Sequence, residues 1–141
     1  MKPLKIYLAG QCKGLSDEGR GWRKQISEQL ETVANWSGAE VEIFNPTKYF
    51  SYEEKRHKTQ AQIKRYYLSQ IKKCDVVLLN CEGTDASIGT AQEIQYAVDH
   101  DIPVIGFGSN NVYPWITEVD CQVVFESMHE AVDYIRDFYL S

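Results

Sequence analysis

The chain has 141 residues, 43% of them hydrophobic, with a formal net charge of −5 and a pI near 5.2. That length suits a single domain spanning residues 1–141, and a mean hydropathy of −0.41 suits a globular protein. The acidic balance argues against general binding to nucleic acid or to an anionic membrane, and no run of about 18 apolar residues offers a transmembrane span.

The N-terminal MKPLKIYLAG has too short an apolar run for a signal peptide, and Lys5 to Ala9 (KIYLA) reads as a first strand. Ser16 is positioned to cap a helix reaching Trp36, with Trp22, Ile26, Leu30 and Val33 along one face. Val41 to Phe44 (VEIF) reads as a second strand, stopped by Asn45-Pro46. Ser51 with Glu54 has capping-box spacing for a short helix. Thr59 with Gln62 has it again for a longer one, which carries Ile63, Tyr67 and Ile71 on one face.

Asp75 to Asn80 (DVVLLN) is nearly continuous apolar, as a parallel strand covered on both faces requires. Ile88 to His100 reads as a helix, Pro103 to Phe107 and Cys121 to Phe125 as the fourth and fifth strands. Ser127 caps a last helix through Tyr139, with Ala131, Tyr134, Ile135 and Phe138 as its core face.

Strands thus alternate with crossover-length segments. The pattern predicts an α/β, doubly wound, flavodoxin-like (Rossmann-like) fold. Its sheet has five parallel strands in the order 2-1-3-4-5, with helices on both faces. In that order ligands bind at the carboxyl ends of strands one and three, where the topology switches. The loops concerned are Gly10 to Gly14 and Cys81 to Ser87, with Asn80 closing the strand before the second.

The second loop leads into SIGTAQEIQYA, Ser87 to Ala97. Ser87 is a good N-cap, and Gly89, Thr90 and Ala91 are small enough for a ligand to approach the helix backbone. Free amides at a helix start attract anions such as phosphate. Glu93 then lies in the second turn, where an ionised carboxylate facing a sugar would serve as a nucleophile. The plainer alternative is that Ser87 only caps, Gly89 lets the helix pack tightly on the sheet, and Glu93 is solvated. The first loop, GQCKG, offers Gly10, Gln11, Lys13 and Gly14 as a phosphate cradle, with Arg20 and Arg23 just beyond. It reads equally well as a plain strand-to-helix turn.

Cys12, Cys74, Cys81 and Cys121 lack CxxC spacing and read as reduced thiols of a cytoplasmic protein. His57, His100 and His129 have no spacing that suggests a metal site. The run Glu53 to Lys58 mixes charge signs, as a solvated helix face does. Trp115 reads as a packing residue, or as a lid that stacks on a base.

KIYLAG, CDVVLLN, SIGTAQEIQYA and IPVIG, in that order and spacing, resemble the nucleoside 2-deoxyribosyltransferase family from about Lys5 to Gly106. The resemblance implies that Glu93 attacks the anomeric carbon of a 2-deoxyribosyl group, that Tyr7 positions it, and that no metal or organic cofactor takes part. It also implies a small-molecule nucleoside or nucleotide as substrate and a homo-oligomer, dimer or larger. Two positions depart from the family pattern. Ser87 stands six residues before Glu93, where many free-nucleoside transferases carry aspartate; relatives that hydrolyse nucleoside 5′-monophosphates have serine there, serving the phosphate. Tyr67 stands eight residues before Asp75, where the family usually has an aspartate that helps protonate or hold the leaving base. A phenol, with an ordinary pKa of about 10, matches acid catalysis at neutral pH less well. Asp85 and Glu82 are the nearby acids able to replace it. Asn45 is placed either to contact a base or simply to make the turn. A non-catalytic nucleotide-binding module on the same scaffold, and a cleaver of ribosyl bonds in dinucleotides, are the competing readings.

Overall fold

The computed structural model describes residues 2–11, 17, 19–48, 59–84, 87–108 and 113–140. Its elements run β1 (Leu4–Ala9), α1 (Arg20–Ser37), β2 (Val41–Phe44), a 3₁₀ turn (Pro46–Lys48) and α2 (Gln60–Lys72). Then come β3 (Val76–Asn80), α3 (Ile88–Asp99), β4 (Val104–Phe107), a π-helical segment (Trp115–Asp120), β5 (Val123–Phe125) and α4 (Met128–Tyr139). All strand pairs are parallel and the sheet order is β2-β1-β3-β4-β5, the flavodoxin-like arrangement that the alternating pattern predicts. Among the described residues no helix is long and apolar enough to cross a membrane.

Side chains of a strand alternate between faces, so the continuous apolar strands divide into two cores. Ile6, Leu8, Val76, Leu78, Ile105 and Phe107 meet Ile26, Leu30 and Val33 of α1 and Ala131 and Ile135 of α4. On the opposite face Tyr7, Ala9, Val77, Leu79 and Val104 meet Ile71 of α2 and Ile94 and Ala97 of α3. Each fully buried Ile or Leu contributes roughly 1.5–3 kcal/mol, and the strands (Ile6, Leu8, Leu78, Leu79 and Ile105) supply as many of them as the helices (Ile26, Leu30, Ile71, Ile94 and Ile135).

Sequence and structure differ at several ends. The first helix starts at Arg20, with Gly19 in a left-handed conformation as N-cap. Its free amides are met by Asp17, whose carboxylate accepts from the backbone N–H of Gly19 and Gly21, both at 2.9 Å. Those bonds hold the Asp17 carboxyl below its usual range. The expected cap, Ser16, lies outside the described residues, as does the short helix expected at Ser51 and Glu54 with the run Glu53 to Lys58 and His57. The Thr59–Gln62 capping box is present in both directions. The fifth strand begins at Val123, two residues later than expected, because Cys121 still belongs to the turn before it. Cys121 closes the π-helical segment by donating its N–H to the Ile116 carbonyl. Phe138, expected in the core, is 69% exposed at the end of α4, whose apolar stripe is carried by Ala131, Val132 and Ile135.

Gly106 marks a tight spot in β4. A Cβ there would lie 2.9 Å from Cys81 Sγ, 3.2 Å from Val124 Cγ2 and 3.3 Å from Cys121 Sγ. Gly106→Ala is therefore expected to destabilise the protein by about 2 kcal/mol through overpacking, lowering Tm by roughly 6 °C in a thermal melt. An unchanged Tm would mean that the two thiols and Val124 move aside freely.

Candidate active site

The parallel register sets Tyr7 of β1 beside Phe44, the last residue of β2, and beside Val77 of β3. Tyr7 is fully buried on the face covered by α2 and α3, and its ring stacks on Phe44 with centroids 5.3 Å apart and planes 12° apart. Phe44 is in turn flanked by Tyr66 and Tyr67 of α2 at 5.9 and 6.1 Å. This aromatic wall fixes the direction of the Tyr7 hydroxyl, which donates to Oε2 of Glu93 on α3. Glu93 is partly buried. Burial pushes its carboxyl up to about 7, while the Tyr7 hydrogen bond and the more distant Arg23 guanidinium pull it down. Burial, and next the Glu93 charge, push the Tyr7 phenol well above its ordinary value. The pair thus holds its proton on the phenol, and its carboxylate titrates near neutral pH.

The start of α3 faces the same switch point. Ser87 caps it: its Oγ accepts from the Thr90 N–H at 3.3 Å and lies 2.6 Å from Thr90 Oγ1. Thr90 is buried, whereas Gly89 is exposed, and a Cβ added to Gly89 would meet nothing within 4 Å. Gly89 therefore does not serve close packing on the sheet; the surface above it is open to a ligand.

The loop before α3 is held by its own backbone. Asn80 Oδ1 accepts from the Glu82 N–H at 3.1 Å, and Thr84 Oγ1 donates to the Cys81 carbonyl at 2.8 Å. Gly83 has φ 74°, and the side chain of Gln11 fills the space where its Cβ would stand, so the two switch-point loops touch there. Gly10 is packed by Trp22, whose Cζ2 lies 2.7 Å from the position of an added Cβ. Arg20 is exposed at the first turn of α1. Lys13, Gly14 and Asp85 lie outside the described residues.

Two side chains have local duties. Asn45 Oδ1 accepts from the Thr47 N–H at 3.0 Å and from its hydroxyl at 2.7 Å, which makes the turn after β2. Tyr67 donates its hydroxyl to the Pro46 carbonyl at 3.0 Å and so ties α2 to that turn. Arg23, expected from its position near the first loop to assist an anion, is instead buried among backbone carbonyls. Trp115 is 69% exposed on the π-helical segment, its ring 5.6 Å from that of Tyr113. Phe44 and Tyr66 were not singled out from the sequence. The signal for Phe44 was its place at the end of a strand paired in register with Tyr7.

A buried tyrosine on β1 holding a glutamate on the helix after β3 accompanies a match along most of the sequence. The model of the family described as nucleoside 2-deoxyribosyltransferase matches residues 6–130. The chain belongs to the nucleoside 2-deoxyribosyltransferase family. Solved structures carry the same fold. A 2-deoxyribosyltransferase from Leishmania mexicana is 17% identical, with 97% of this chain and 99% of that one covered and a TM-score of 0.69. One from Bacillus psychrosaccharolyticus is 22% identical, with 92% and 91% covered and a TM-score of 0.64. A CMP N-glycosidase from Clostridium botulinum is 18% identical, with 96% and 99% covered and a TM-score of 0.56. At these identities the likeness is one of fold. No curated protein matches the sequence. The fold thus has neighbours that differ in chemistry, two named for deoxyribosyl transfer and the third for N-glycosidase action on CMP. Among the described residues of this family member, no three His, Cys, Asp or Glu side chains converge as a metal site.

Proposed function

We propose that the protein cleaves the N-glycosidic bond of a 2′-deoxynucleoside or its 5′-monophosphate, with Glu93 as nucleophile. The observation that carries this reading is the hydrogen bond from the buried Tyr7 hydroxyl to Glu93 Oε2, at the topological switch point and beside the open start of α3. Tyr7 fixes one carboxylate oxygen, and the other attacks C1′. The bond from C1′ to the base nitrogen breaks, and its electron pair leaves with the base, which takes a proton. A carboxylate under the sugar also stabilises the oxocarbenium-like charge that develops on the way. Water or a second base then attacks C1′ of the glycosyl ester and returns Glu93 to its carboxylate form.

The Tyr67 proton is directed to the Pro46 carbonyl, so we assign the protonation of the leaving base to Asp85, two residues before Ser87. The 5′-phosphate falls to the hydroxyls of Ser87 and Thr90 and the backbone at Gly89, with Lys13, Gly14 and Arg20 assisting and Gly10, Gln11 and Asn80 shaping the floor. No metal or organic cofactor is needed for these steps. The acceptor, water or base, is decided by supplying a second base and following exchange.

The test is chromatography of free base after incubation with each deoxynucleoside and each 5′-monophosphate. Base release is expected, faster from the monophosphates. Ser87→Ala is expected to lower kcat/KM for the preferred monophosphate by about tenfold, the worth of one charge-assisted hydrogen bond, and to leave the unphosphorylated nucleoside almost unaffected. Equal losses on both would remove Ser87 from phosphate binding. Thermal stabilisation by nucleotides without any base release would favour a binding module instead.

A further inference from the structure

The hydrogen bond from Tyr7 to Glu93 depends on how the Tyr7 ring is turned. Conjugation keeps a phenol O–H in the plane of its ring, and a hydrogen bond weakens steeply as it bends away from its donor bond. The ring plane therefore sets how well the carboxylate oxygen is met. The last torsion of a tyrosine side chain is broad and two-fold, so the ring has little preference of its own. What packs on its face must hold it. Among the described residues the ring stacked on Tyr7 is that of Phe44, its register partner on β2, with centroids 5.3 Å apart and planes 12° apart.

Phe44 needs support of its own, because its last torsion is equally soft. Tyr66 and Tyr67 of α2 meet its ring edge-on, at interplanar angles of 60° and 72°. The Tyr67 hydroxyl donates to the carbonyl of Pro46, two residues beyond Phe44, at 3.0 Å. The contacts close on themselves. Phe44 leads along the chain to Pro46, Pro46 through a hydrogen bond to Tyr67, and Tyr67 through its ring back to Phe44. Such a closed set leaves Phe44 little room to tilt, and the Tyr7 ring lies against the plane so fixed.

We propose that Phe44 is a positioning residue whose ring, clamped by Tyr66 and Tyr67, sets the plane of the Tyr7 phenol and so its hydrogen bond to Glu93. The inference rests on the reading of Glu93 as nucleophile. Phe44 makes no contact with the reacting atoms in this role. Tyr67, at the position of the expected acid, gains a task that uses its ring and its hydroxyl without proton transfer. Leucine at position 44 would still fill the core but offers no flat face. A residue that only filled space would be replaced by leucine without any effect that depends on the Tyr7 hydroxyl.

The test is kcat and KM for base release in Phe44→Leu and Phe44→Tyr, each alone and in a Tyr7→Phe background. Phe44→Leu is expected to lower kcat about tenfold and to leave KM within about twofold of wild type. Phe44→Tyr keeps the flat face and should restore kcat to within about threefold. Tyr7→Phe has no hydroxyl to aim, so Phe44→Leu should cost it less than about twofold. A tenfold loss that persists in the Tyr7→Phe background would overturn the proposal, as would an unaltered kcat in Phe44→Leu itself. If Phe44→Leu does not fold, Tyr67→Phe decides, since it deletes only the hydroxyl held by Pro46 and keeps every ring. A fall in kcat that vanishes in the Tyr7→Phe background supports the clamp; one that persists there, or no fall at all, overturns it. Titration of the ¹³C-carboxyl-labelled chain by NMR, with the Glu93 resonance assigned by its loss in Glu93→Gln, gives a reading without turnover. The Tyr7 hydrogen bond favours the ionised carboxylate, so Phe44→Leu should raise the Glu93 midpoint by about half a pH unit. Wild-type protein that releases no base from any nucleotide overturns the nucleophile reading, whereas an unmoved midpoint in folded Phe44→Leu overturns the positioning role.

Discussion

Glu93→Gln is expected to lower base release by about 10⁴-fold or more while leaving the fold intact, because an amide oxygen is too weak a nucleophile to form the glycosyl ester. Gln keeps the size of the side chain and still accepts from the Tyr7 hydroxyl, so the loss isolates the carboxylate from the packing. In the wild-type protein the rate should rise with pH through about 7, where burial has placed the carboxyl, and level off above it as the ionised form fills. Single-turnover reaction followed by mass spectrometry of the Glu93 peptide should show the added deoxyribosyl group. Base release that persists at the wild-type rate in Glu93→Gln would remove Glu93 from the mechanism.

The same substitution should make the protein more stable, but only at higher pH. An unfolded glutamate ionises near 4.5, whereas burial holds Glu93 protonated up to about 7. Between those values the native state keeps a proton that the unfolded chain has released. Stability therefore falls as pH rises through this window. A gap of that width corresponds to about 3 kcal/mol. Glu93 is only partly buried, so solvent screens part of it and about 2 kcal/mol is a fair expectation. Gln cannot ionise and escapes the penalty. Urea unfolding should show wild type and Glu93→Gln about equal at pH 4.5, and the variant ahead by about 2 kcal/mol at pH 8. Equal stability at both pH values would mean that Glu93 titrates like an exposed carboxyl, and would weaken the case for a tuned active-site acid. Taken together, the two expectations describe a side chain that destabilises the fold in the state in which it reacts, a common exchange of stability for function.

The order of strands and helices was legible in the chain because parallel strands buried on both faces are continuously apolar, and DVVLLN and PVIGF carry that mark. The capping residues Thr59, Ser87 and Ser127 announced three helices correctly, since a cap is a local hydrogen bond between residues three apart. Local signals failed where long-range packing decides. The start of α1 rests on Asp17 and a left-handed Gly19. Phe138 satisfies the helical spacing of a core residue, yet its ring is exposed while Leu140, two residues on, is buried against the core.

At the site, sequence alone determined the residue types and their assignment to strand ends and a helix start: Tyr7, Ser87 and Glu93. Tertiary structure decided what those residues touch. Tyr7 and Glu93 are 86 positions apart, and only the β1–β3 pairing and the packing of α3 bring the phenol to the carboxylate. Tyr67 is a candidate because it stands where the family resemblance places an acid, and Asn45 because it ends β2 near the switch point. In the fold each bonds to the turn after β2. Arg23 is placed by the sequence just beyond the first loop, as an aid to an anion, and its burial against three carbonyls follows from how α1 crosses the end of β1. Spacing along a chain fixes which face of an element a side chain takes, whereas its partners and its ionisation depend on which other elements arrive there and how much water they exclude.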